Sequence, residues 1–333
     1  MLEATLSALA HLRAQEAGPL GQGLGAANAQ ACMHQAIRPL NEDSLRAAVA
    51  QAQPLPSSVA IVVPYGVFTT PIEWTAIAVA GGASVHLKAP QRDPELVRRL
   101  AEVFQKEGLP VTWSTDRTLP SVDAVLAFGS DESVADIQRD HPYTTVAPYG
   151  HKFSIALVTG NPTVAARCLA MDLVRYDGRG CMAPAAIFCD GDAMELGLQL
   201  SLALDHAQGQ WPRGEVDAGL GPEWRRRLGL ARVLGRAWSS SDWAVTVSPS
   251  AHFAPSALPR MANVHPVEDG KELARLLQPW SAWLSTLGTD GPDPQLPGVH
   301  RVCRLGWMQA PVIPRNHDGR SMLGGLHREN GED

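Results

Sequence analysis

The chain has 333 residues, of which 28 are lysine or arginine and 34 are aspartate or glutamate, so its formal net charge is −6. With 45% hydrophobic and 19% charged residues, its composition is that of a globular protein and excludes an intrinsically disordered one. The length predicts roughly two domains, each large enough to bury a core. The acidic excess argues against a dedicated nucleic-acid-binding protein, which normally carries a basic surface.

Neither a targeting segment nor a membrane span is predicted. Residues 1–18 contain Glu3 and Arg13 within an apolar pattern, which predicts an amphipathic helix and not a signal peptide. The longest apolar region, 57–87, is interrupted by two prolines, a glycine and a glutamate, so it is not expected to cross a membrane. The sequence therefore predicts a soluble, cytoplasmic protein.

The cysteines are scattered and include no Cys-x-x-Cys pair; they are Cys32, Cys168, Cys181, Cys189 and Cys303. Their odd number and wide spacing argue against a disulfide framework or a zinc site, and predict reduced thiols with no metal centre. The ordinary expectation for each is a small buried side chain.

Short apolar runs alternate with helical patterns between residues 58 and 140. The patterns predict strands at 58–64, 85–88, 111–113 and 123–128, and helices at 71–80 and 94–108. In the second helix Leu96, Leu100 and Val103 recur with helical spacing, and Gly108 ends the pattern. This order predicts βαβ units and a parallel, doubly wound sheet, with nucleotide sites at the carboxyl ends of its strands.

A second α/β pattern begins near residue 154. It predicts a strand at 155–158, a helix at 162–173, a strand at 185–189, a loop at 207–222, a helix at 223–238 and a turn-rich linker at 286–299. For the helix at 223–238, a solvated basic face is favoured over contact with cofactor phosphates. The predicted organisation is a nucleotide-binding domain at 1–153, a catalytic domain at 154–290 and a C-terminal segment at 291–333.

The motifs of several large enzyme classes are absent, including G-x-G-x-x-G after the first strand, the P-loop, H-E-x-x-H and G-x-S-x-G. Four other segments follow one another in an informative order. They are Pro64-Tyr65-Gly66 with the strand ending at Lys88, Phe128-Gly129-Ser130, Gly150-His151-Lys152, and Gly178-Arg179-Gly180-Cys181. Together these segments resemble the aldehyde dehydrogenase superfamily.

Within that superfamily the chain is most similar to the LuxC-like acyl-CoA reductases, the fatty-acid reductases of bacterial bioluminescence. The similarity rests on residues 128–133, 150–152, 303–309 and 317–320, and extends over about residues 58–325. It implies an α/β fold with two doubly wound domains, and NAD(P)H-dependent reduction of an acyl-CoA thioester to an aldehyde. It also implies a homo-oligomer or a multi-component reductase complex. Because the chain is shorter than typical superfamily members, peripheral elements are expected to be missing.

The resemblance implies that Cys181 is the nucleophile, which forms a covalent acyl-enzyme. Glycines on both sides of Arg179 would let the backbone approach the acyl group, and Arg179 would favour the Cys181 thiolate. The alternative for Cys181 is a buried structural cysteine.

The resemblance also implies the cofactor residues. Lys88 would lie near the adenosine ribose, and Gly129 and Ser130 near the pyrophosphate or nicotinamide. Gln91 stands where a glutamate would favour a free 2′-hydroxyl, so NADPH is favoured over NADH, with NADH left open. The alternatives are an exposed strand-end lysine for Lys88 and a plain helix N-cap for Ser130.

Two departures from the superfamily pattern bear on activity. Pro148 replaces the glutamate that activates water in hydrolytic members, and no other carboxylate is expected near this loop; both points favour thioester reduction. Gly66 replaces an asparagine that helps form the oxyanion hole, and losing one such donor costs on the order of 10²–10³ in rate. Two alternatives therefore stand beside the reductase: a non-catalytic relative that binds acyl-CoA or nucleotide, and cysteine-dependent acyl transfer without a redox step.

Overall fold

The computed structural model describes residues 1–217, 219–256, 258–324 and 326. The chain forms two compact units, and each is assembled from separate stretches of sequence. The first unit comprises Met1–Gln22, Gln30–His151 and the chain from Val312 onward; the second comprises Gly23–Ala29 and Lys152–Pro311. The boundaries expected at 153 and 290 stay predictions, and residues 325 and 327–333 of the expected C-terminal segment lie outside the described residues.

The first unit contains a parallel sheet with helices between its strands. In chain order the elements are α1 (Leu2–Arg13), α2 (Ala26–Ile37, whose first turn belongs to the second unit), α3 (Glu42–Ala52), β1 (Ser58–Val62), α4 (Thr70–Ala80), β2 (Ser84–Lys88), α5 (Glu95–Lys106), β3 (Val111–Ser114), β4 (Ala124–Phe128), α6 (Asp131–Asp140) and β5 (Thr145–Tyr149). The strand order is β3-β2-β1-β4-β5, and every neighbouring pair is parallel. The predicted parallel, doubly wound sheet is confirmed.

The apolar pattern of the sequence decides which faces of this unit are buried. Strand β4 is buried along its whole length, as expected for a central strand of a parallel sheet. On α5, Leu96, Leu100 and Val103 face the core, as their spacing predicted. The opposite face of α5 carries Arg98, which pairs with Glu95 and Glu102. This division explains why α5 is clearly amphipathic in the sequence.

The second unit contains a larger sheet. Its elements are β6 (Phe153–Val158), α7 (Pro162–Val174), β7 (Pro184–Cys189), α8 (Ala193–Gln210), α9 (Leu220–Leu234), β8 (Arg236–Ser239), β9 (Ala244–Val247), β10 (Met261–Pro266), α10 (Gly270–Leu277), β11 (Leu284–Thr289) and β12 (Arg301–Arg304). The strand order is β12-β11-β6-β7-β10-β9-β8. Strand β8 is antiparallel to β9, and the other neighbouring pairs are parallel.

The prediction of a helix over 223–238 is wrong at its carboxyl end. Helix α9 stops at Leu234, and strand β8 follows at once. Gly235 permits this change because its backbone lies against the backbone of Val247. A Cβ on residue 235 would lie 2.2 Å from the Val247 carbonyl oxygen. The loop predicted at 207–222 is shorter than expected, since α8 continues to Gln210 and α9 begins at Leu220; residue 218 lies outside the described residues.

The linker predicted at 286–299 is wrong over its first residues. Strand β11 is buried throughout and lies between β6 and β12. Gly288 suggested a turn, but it serves close packing, since a Cβ there would meet Met308 Sδ at 2.5 Å. A glycine inside a strand often marks such a close approach.

The tail of the chain returns to the first unit as a short antiparallel hairpin, β13 (Asn316–His317) and β14 (Arg320–Ser321). The guanidinium of Arg315 donates to the Glu73 carboxylate on α4, with Nη1 2.9 Å from Oε2. The ring of His317 packs against Trp74 and Tyr149, at 5.6 and 5.2 Å between centroids. These contacts anchor the tail to the first unit.

Among the described residues, no helix combines the length and the apolar character that crossing a membrane requires.

The pH dependence of stability is expected to reflect His265 on β10, which is 1% exposed. Burial, and secondarily the charge of His252, lower its pKa from 6.5 to about 4. The unfolded chain therefore binds more protons between about pH 4 and 6.5, so this stability is present above pH 6.5 and is lost as pH falls toward 4. We expect His265→Phe to remove up to about 3 kcal/mol of that loss, measured by urea unfolding across this range.

His206→Phe, at an exposed position on α8, is the control for a histidine-to-phenylalanine change outside the core. An unaltered pH dependence in His265→Phe contradicts the prediction.

Candidate active site

Cys181 lies at the end of an unusual turn between α7 and β7. The backbone φ angle is positive at Tyr176 (52°), Asp177 (55°), Gly178 (70°) and Gly180 (89°). Glycine adopts this left-handed conformation at little cost, which explains the two glycines around Arg179. Tyr176 and Asp177 carry a Cβ that disfavours this conformation, less strongly for aspartate than for tyrosine. A non-glycine residue in this region costs on the order of 1–3 kcal/mol, and such strain is concentrated at functional sites.

The Cys181 residue itself is partly exposed, and its carbonyl is anchored to the neighbouring strands. Ser154 on β6 donates its hydroxyl to the Cys181 carbonyl at 2.5 Å. The same hydroxyl oxygen accepts a hydrogen bond from the Thr286 backbone N–H on β11 at 3.1 Å. These hydrogen bonds connect the main chain of the candidate nucleophile to β6 and β11, just ahead of the amino end of β7.

The other cysteines lie in surroundings that disfavour the thiolate, and none of the five cysteines, all of which are within the described ranges, forms a disulfide. Cys32 is fully buried. Burial raises the pKa of Cys168 and of Cys189, with Asp172 adding to the effect at Cys168. Burial also raises the pKa of Cys303 to about 11. These four thiols are thus poorly suited to nucleophilic catalysis.

The guanidinium of Arg179 is directed along the chain that follows α8. Its Nη2 donates to the Glu215 carbonyl at 3.0 Å and lies 4.0 Å from Asp177 Oδ2. A role for Arg179 in stabilising the Cys181 thiolate stays a prediction.

The predicted cofactor residues all lie in the first unit, at the carboxyl edge of its sheet. Lys88 is the last residue of β2 and is in register with Val62 on β1. Gly129 directly follows β4, and its N–H donates to the Tyr149 carbonyl at 3.2 Å. The strand order reverses at β1, which is where parallel sheets of this kind bind dinucleotides.

Local geometry fits a dinucleotide at this edge. Gly66, in the loop after β1, has a φ of 122°, and a Cβ built there would meet nothing within 4 Å. Its N–H donates to Gln22 Oε1 at 2.9 Å. Backbone lacking a side chain beside open space allows close approach of a ligand. Sequence reasoning did not identify Gln22, because it lies in an irregular segment 44 residues from its partner.

Ser130 is the N-cap of α6, and its hydroxyl accepts a hydrogen bond from the Ser133 N–H at 3.1 Å. This is the helix-cap role considered as the alternative in the sequence. Contact of Ser130 with a cofactor stays a prediction.

The expectation that no carboxylate lies near the Gly150-His151-Lys152 loop is wrong. Asp131, on the first turn of α6, accepts a hydrogen bond from the His151 N–H at 2.6 Å. Gly150 leaves room for this carboxylate, since a Cβ there would lie 2.2 Å from Asp131 Oδ1 and would displace that side chain. Lys152 turns away within the second unit, where its Nζ donates to the Ala282 carbonyl at 2.6 Å.

Comparison with solved structures identifies the fold as that of aldehyde dehydrogenases. An oxidoreductase from Marinobacter aquaeolei matches with a TM-score of 0.78 and 14% identity, over 98% of this chain and 82% of that one. The indole-3-acetaldehyde dehydrogenase AldA of P. syringae, solved with NAD+ and IAA, matches with a TM-score of 0.75 and 14% identity, over 97% and 79%. The bifunctional proline utilization A protein matches with a TM-score of 0.75 and 14% identity, but 97% of this chain spans 40% of its length.

The sequence itself defines the family within that fold. The model of the acyl-CoA reductase (LuxC) family matches residues 86–329, well over half of the chain. The chain therefore belongs to the acyl-CoA reductase (LuxC) family, and is an oxidoreductase of the type that acts on aldehyde or acyl groups. Comparison with curated proteins finds no match.

Alkylation tests the choice of Cys181. Cys181 is partly exposed, and desolvation disfavours the thiolate form of the other cysteines. Iodoacetamide should therefore modify Cys181 at least about tenfold faster than it modifies any of the other four at neutral pH. Peptide mass mapping over time measures the five rates. Cys181→Ser should remove the fast phase and Cys303→Ser should leave it intact, whereas a fast phase at Cys168 or Cys303 contradicts this assignment.

Proposed function

We propose that this protein reduces an acyl-CoA thioester to an aldehyde with NAD(P)H, through an acyl-enzyme on Cys181. Membership of the acyl-CoA reductase family supports the substrate class. The observation that carries the cysteine assignment is the left-handed turn, which presents a partly exposed thiol ahead of β7. The other four cysteines support the same choice, since Cys32 and Cys189 are buried and desolvation raises the pKa of Cys168, Cys189 and Cys303.

The proposed chemistry begins with attack of the Cys181 thiolate on the thioester carbonyl carbon. The bond from that carbon to the CoA sulfur breaks, and CoA leaves as its thiol after taking up a proton. A nicotinamide cofactor, for which Lys88, Gly129 and Ser130 are the proposed contacts, would supply a hydride to the acyl carbonyl carbon. The resulting oxyanion adduct on Cys181 then collapses: its carbon–sulfur bond breaks, the aldehyde leaves, and the bond's electron pair regenerates the Cys181 thiolate. The overall reaction consumes one acyl-CoA, one NAD(P)H and one proton.

The Cys181 backbone N–H is the proposed donor to the oxyanion that forms in both steps. It is suited to this role because the Ser154 hydroxyl anchors the carbonyl of the same residue. Donors that are held in place before the reaction lower the barrier most effectively.

NADPH is the proposed cofactor, with NADH as the alternative. Lys88, Gly129 and Ser130 are the proposed contacts at the carboxyl edge of the first sheet. Gln91 is neutral and exposed, so it places no charge against a 2′-phosphate. The neighbouring Arg92 lies over the ring of Tyr65, 4.9 Å from its centroid. Arg92 therefore adds positive charge beside the loop that follows β1. A cytoplasmic location and assembly into a homo-oligomer or a multi-component reductase stay predictions.

The reductase assay separates the proposed function from its alternatives. Incubation with medium- and long-chain acyl-CoAs and NADPH should give aldehyde, oxidised cofactor and free CoA in equal amounts. Cys181→Ala should lower aldehyde formation by on the order of 10³-fold or more, because the covalent route is lost. The readouts are nicotinamide absorbance, thiol release and aldehyde trapping, with Cys303→Ala as the matched control.

Other outcomes of this assay point elsewhere. CoA release without cofactor oxidation indicates acyl transfer to another thiol or to water, and free acid as the product indicates that water is the acceptor. Nucleotide binding without any turnover indicates a non-catalytic relative. Gly66 fits that outcome, because it replaces the asparagine that helps form the oxyanion hole in the superfamily.

Cofactor choice is tested by changing the charge at Gln91. A carboxylate at this position would repel a 2′-phosphate, so Gln91→Glu should lower the ratio of kcat/KM for NADPH to that for NADH by about tenfold. Gln51→Glu makes the same charge change at an exposed position on α3 and should leave the ratio unaltered. An unaltered ratio in Gln91→Glu contradicts the proposed location of the 2′-phosphate.

A further inference from the structure

A buried carboxylate lies four residues ahead of Cys181, and the chemistry proposed above does not use it. Asp177 is 0% exposed and has the left-handed φ of 55°. Its Oδ1 accepts a hydrogen bond from Arg260 Nε at 2.8 Å and from Asn28 Nδ2 at 3.2 Å. Its Oδ2 accepts one from the Gly214 N–H at 3.0 Å. Asp177 therefore joins stretches of the second unit that are distant in sequence.

The guanidinium of Arg260 is buried with Asp177. It is 1% exposed, and its Nη2 lies 2.7 Å from Asp177 Oδ1. Burial lowers the pKa of Arg260, and the Asp177 charge opposes that shift. Its Nη1 also donates to the Trp211 carbonyl at 2.7 Å. Removing one member of such a pair leaves an uncompensated buried charge, so the two side chains form one structural element.

The same pair also holds the main chain of the turn. The Arg260 N–H donates to the Asp177 carbonyl at 3.2 Å. Asn28 reaches the last residue of α7, since its Nδ2 donates to the Val174 carbonyl at 2.8 Å. The backbone on both sides of Tyr176 is thus restrained, where an unsupported chain would relax out of the left-handed region.

A second set of contacts extends this restraint to the residue before Gly180. The chain at 211–215 packs against the Gly23–Ala29 stretch, where the Glu215 N–H donates to the Gly23 carbonyl at 2.7 Å. Arg179 donates to the carbonyl of the same Glu215. Residues 176–179 are therefore held from several directions, and Cys181 is held beyond them by Ser154.

We propose that Asp177 and Arg260 are positioning residues for Cys181. The pair holds residues 176–178 in their strained conformation, and that conformation directs the following Gly180 and Cys181 into the place where the thiol reacts. The consequence for catalysis rests on the proposed function, whereas the consequence for the exposure of the Cys181 thiol does not.

The test replaces both charges together, so that no lone buried charge remains. Asp177→Asn combined with Arg260→Gln should release the turn. Alkylation of Cys181 by iodoacetamide should then become at least about tenfold faster, because the partly buried thiol becomes more accessible. The kcat for aldehyde formation should fall about 10- to 100-fold, with the KM for the nicotinamide unchanged.

The remaining cysteines report whether the unit stays folded, because Cys189 lies in the same sheet and should stay slow to alkylate. The matched control is Glu73→Gln with Arg315→Gln, which removes a largely buried ion pair from the first unit and should leave Cys181 alkylation unchanged. Asn28→Ala removes the side chain that contacts Asp177 and Val174. It should give a smaller change in the same direction, and its alkylation rate decides the question if the double variant fails to fold.

A folded Asp177→Asn/Arg260→Gln variant with wild-type Cys181 alkylation and kcat overturns the inference, as does unchanged alkylation in Asn28→Ala when the double variant does not fold. Faster alkylation of Cys181 in the double variant, when the wild-type protein also makes no aldehyde, upholds the positioning role and counts against the reductase. Normal aldehyde formation in the folded double variant rejects the positioning role and leaves the reductase standing.

Discussion

A parallel sheet must be covered on both faces, because its strands are joined by crossover connections that pack against it. Both units obey this constraint, and strands such as β4 and β11 are consequently buried along their whole length. The parallel direction of the strands also fixes where the loops lie. Loops that follow the strands lie at the carboxyl edge of the sheet, and loops that precede the strands lie at the amino edge. Lys88 and Gly129 lie at the carboxyl edge of the first sheet, and Cys181 lies at the amino end of β7 in the second.

The part of the fold that could be predicted is the part whose apolar pattern matches one regular element. The strands and helices from β1 to β4 are of this kind, and the parallel sheet followed from their alternation. The errors at Gly235 and Gly288 have a related cause, because the predicted helix was continued through Gly235 and Gly288 was included in a turn-rich segment. Each glycine instead leaves room for a neighbour that is distant in sequence, Val247 in one case and Met308 in the other.

The candidate site shows the same limit. Cys181, Lys88, Gly129 and Ser130 were identified from short motifs, and the structure puts the last three at the edge where a dinucleotide is expected. The residues that support these motifs were not identified, because their contacts join separate parts of the chain. Asp177 and Arg260 are 83 residues apart, and Asp131 and His151 are 20 apart. No local pattern relates such partners, although a left-handed turn that includes Asp177 demands some form of support.

The two units also share their sequence in an interleaved way, and this affects the order in which they can be completed during synthesis. A domain usually folds once its own stretch of chain has emerged. The first unit cannot do so, because Glu73 and Trp74 have to await Arg315 and His317, which are made after the whole second unit. The nascent first unit therefore lacks the ion-pair partner of Glu73 and one of the rings packed on Trp74 until Arg315 and His317 have been made. The second unit already has Asn28 when Asp177 is made, so the turn ahead of Cys181 can form before the first unit is closed.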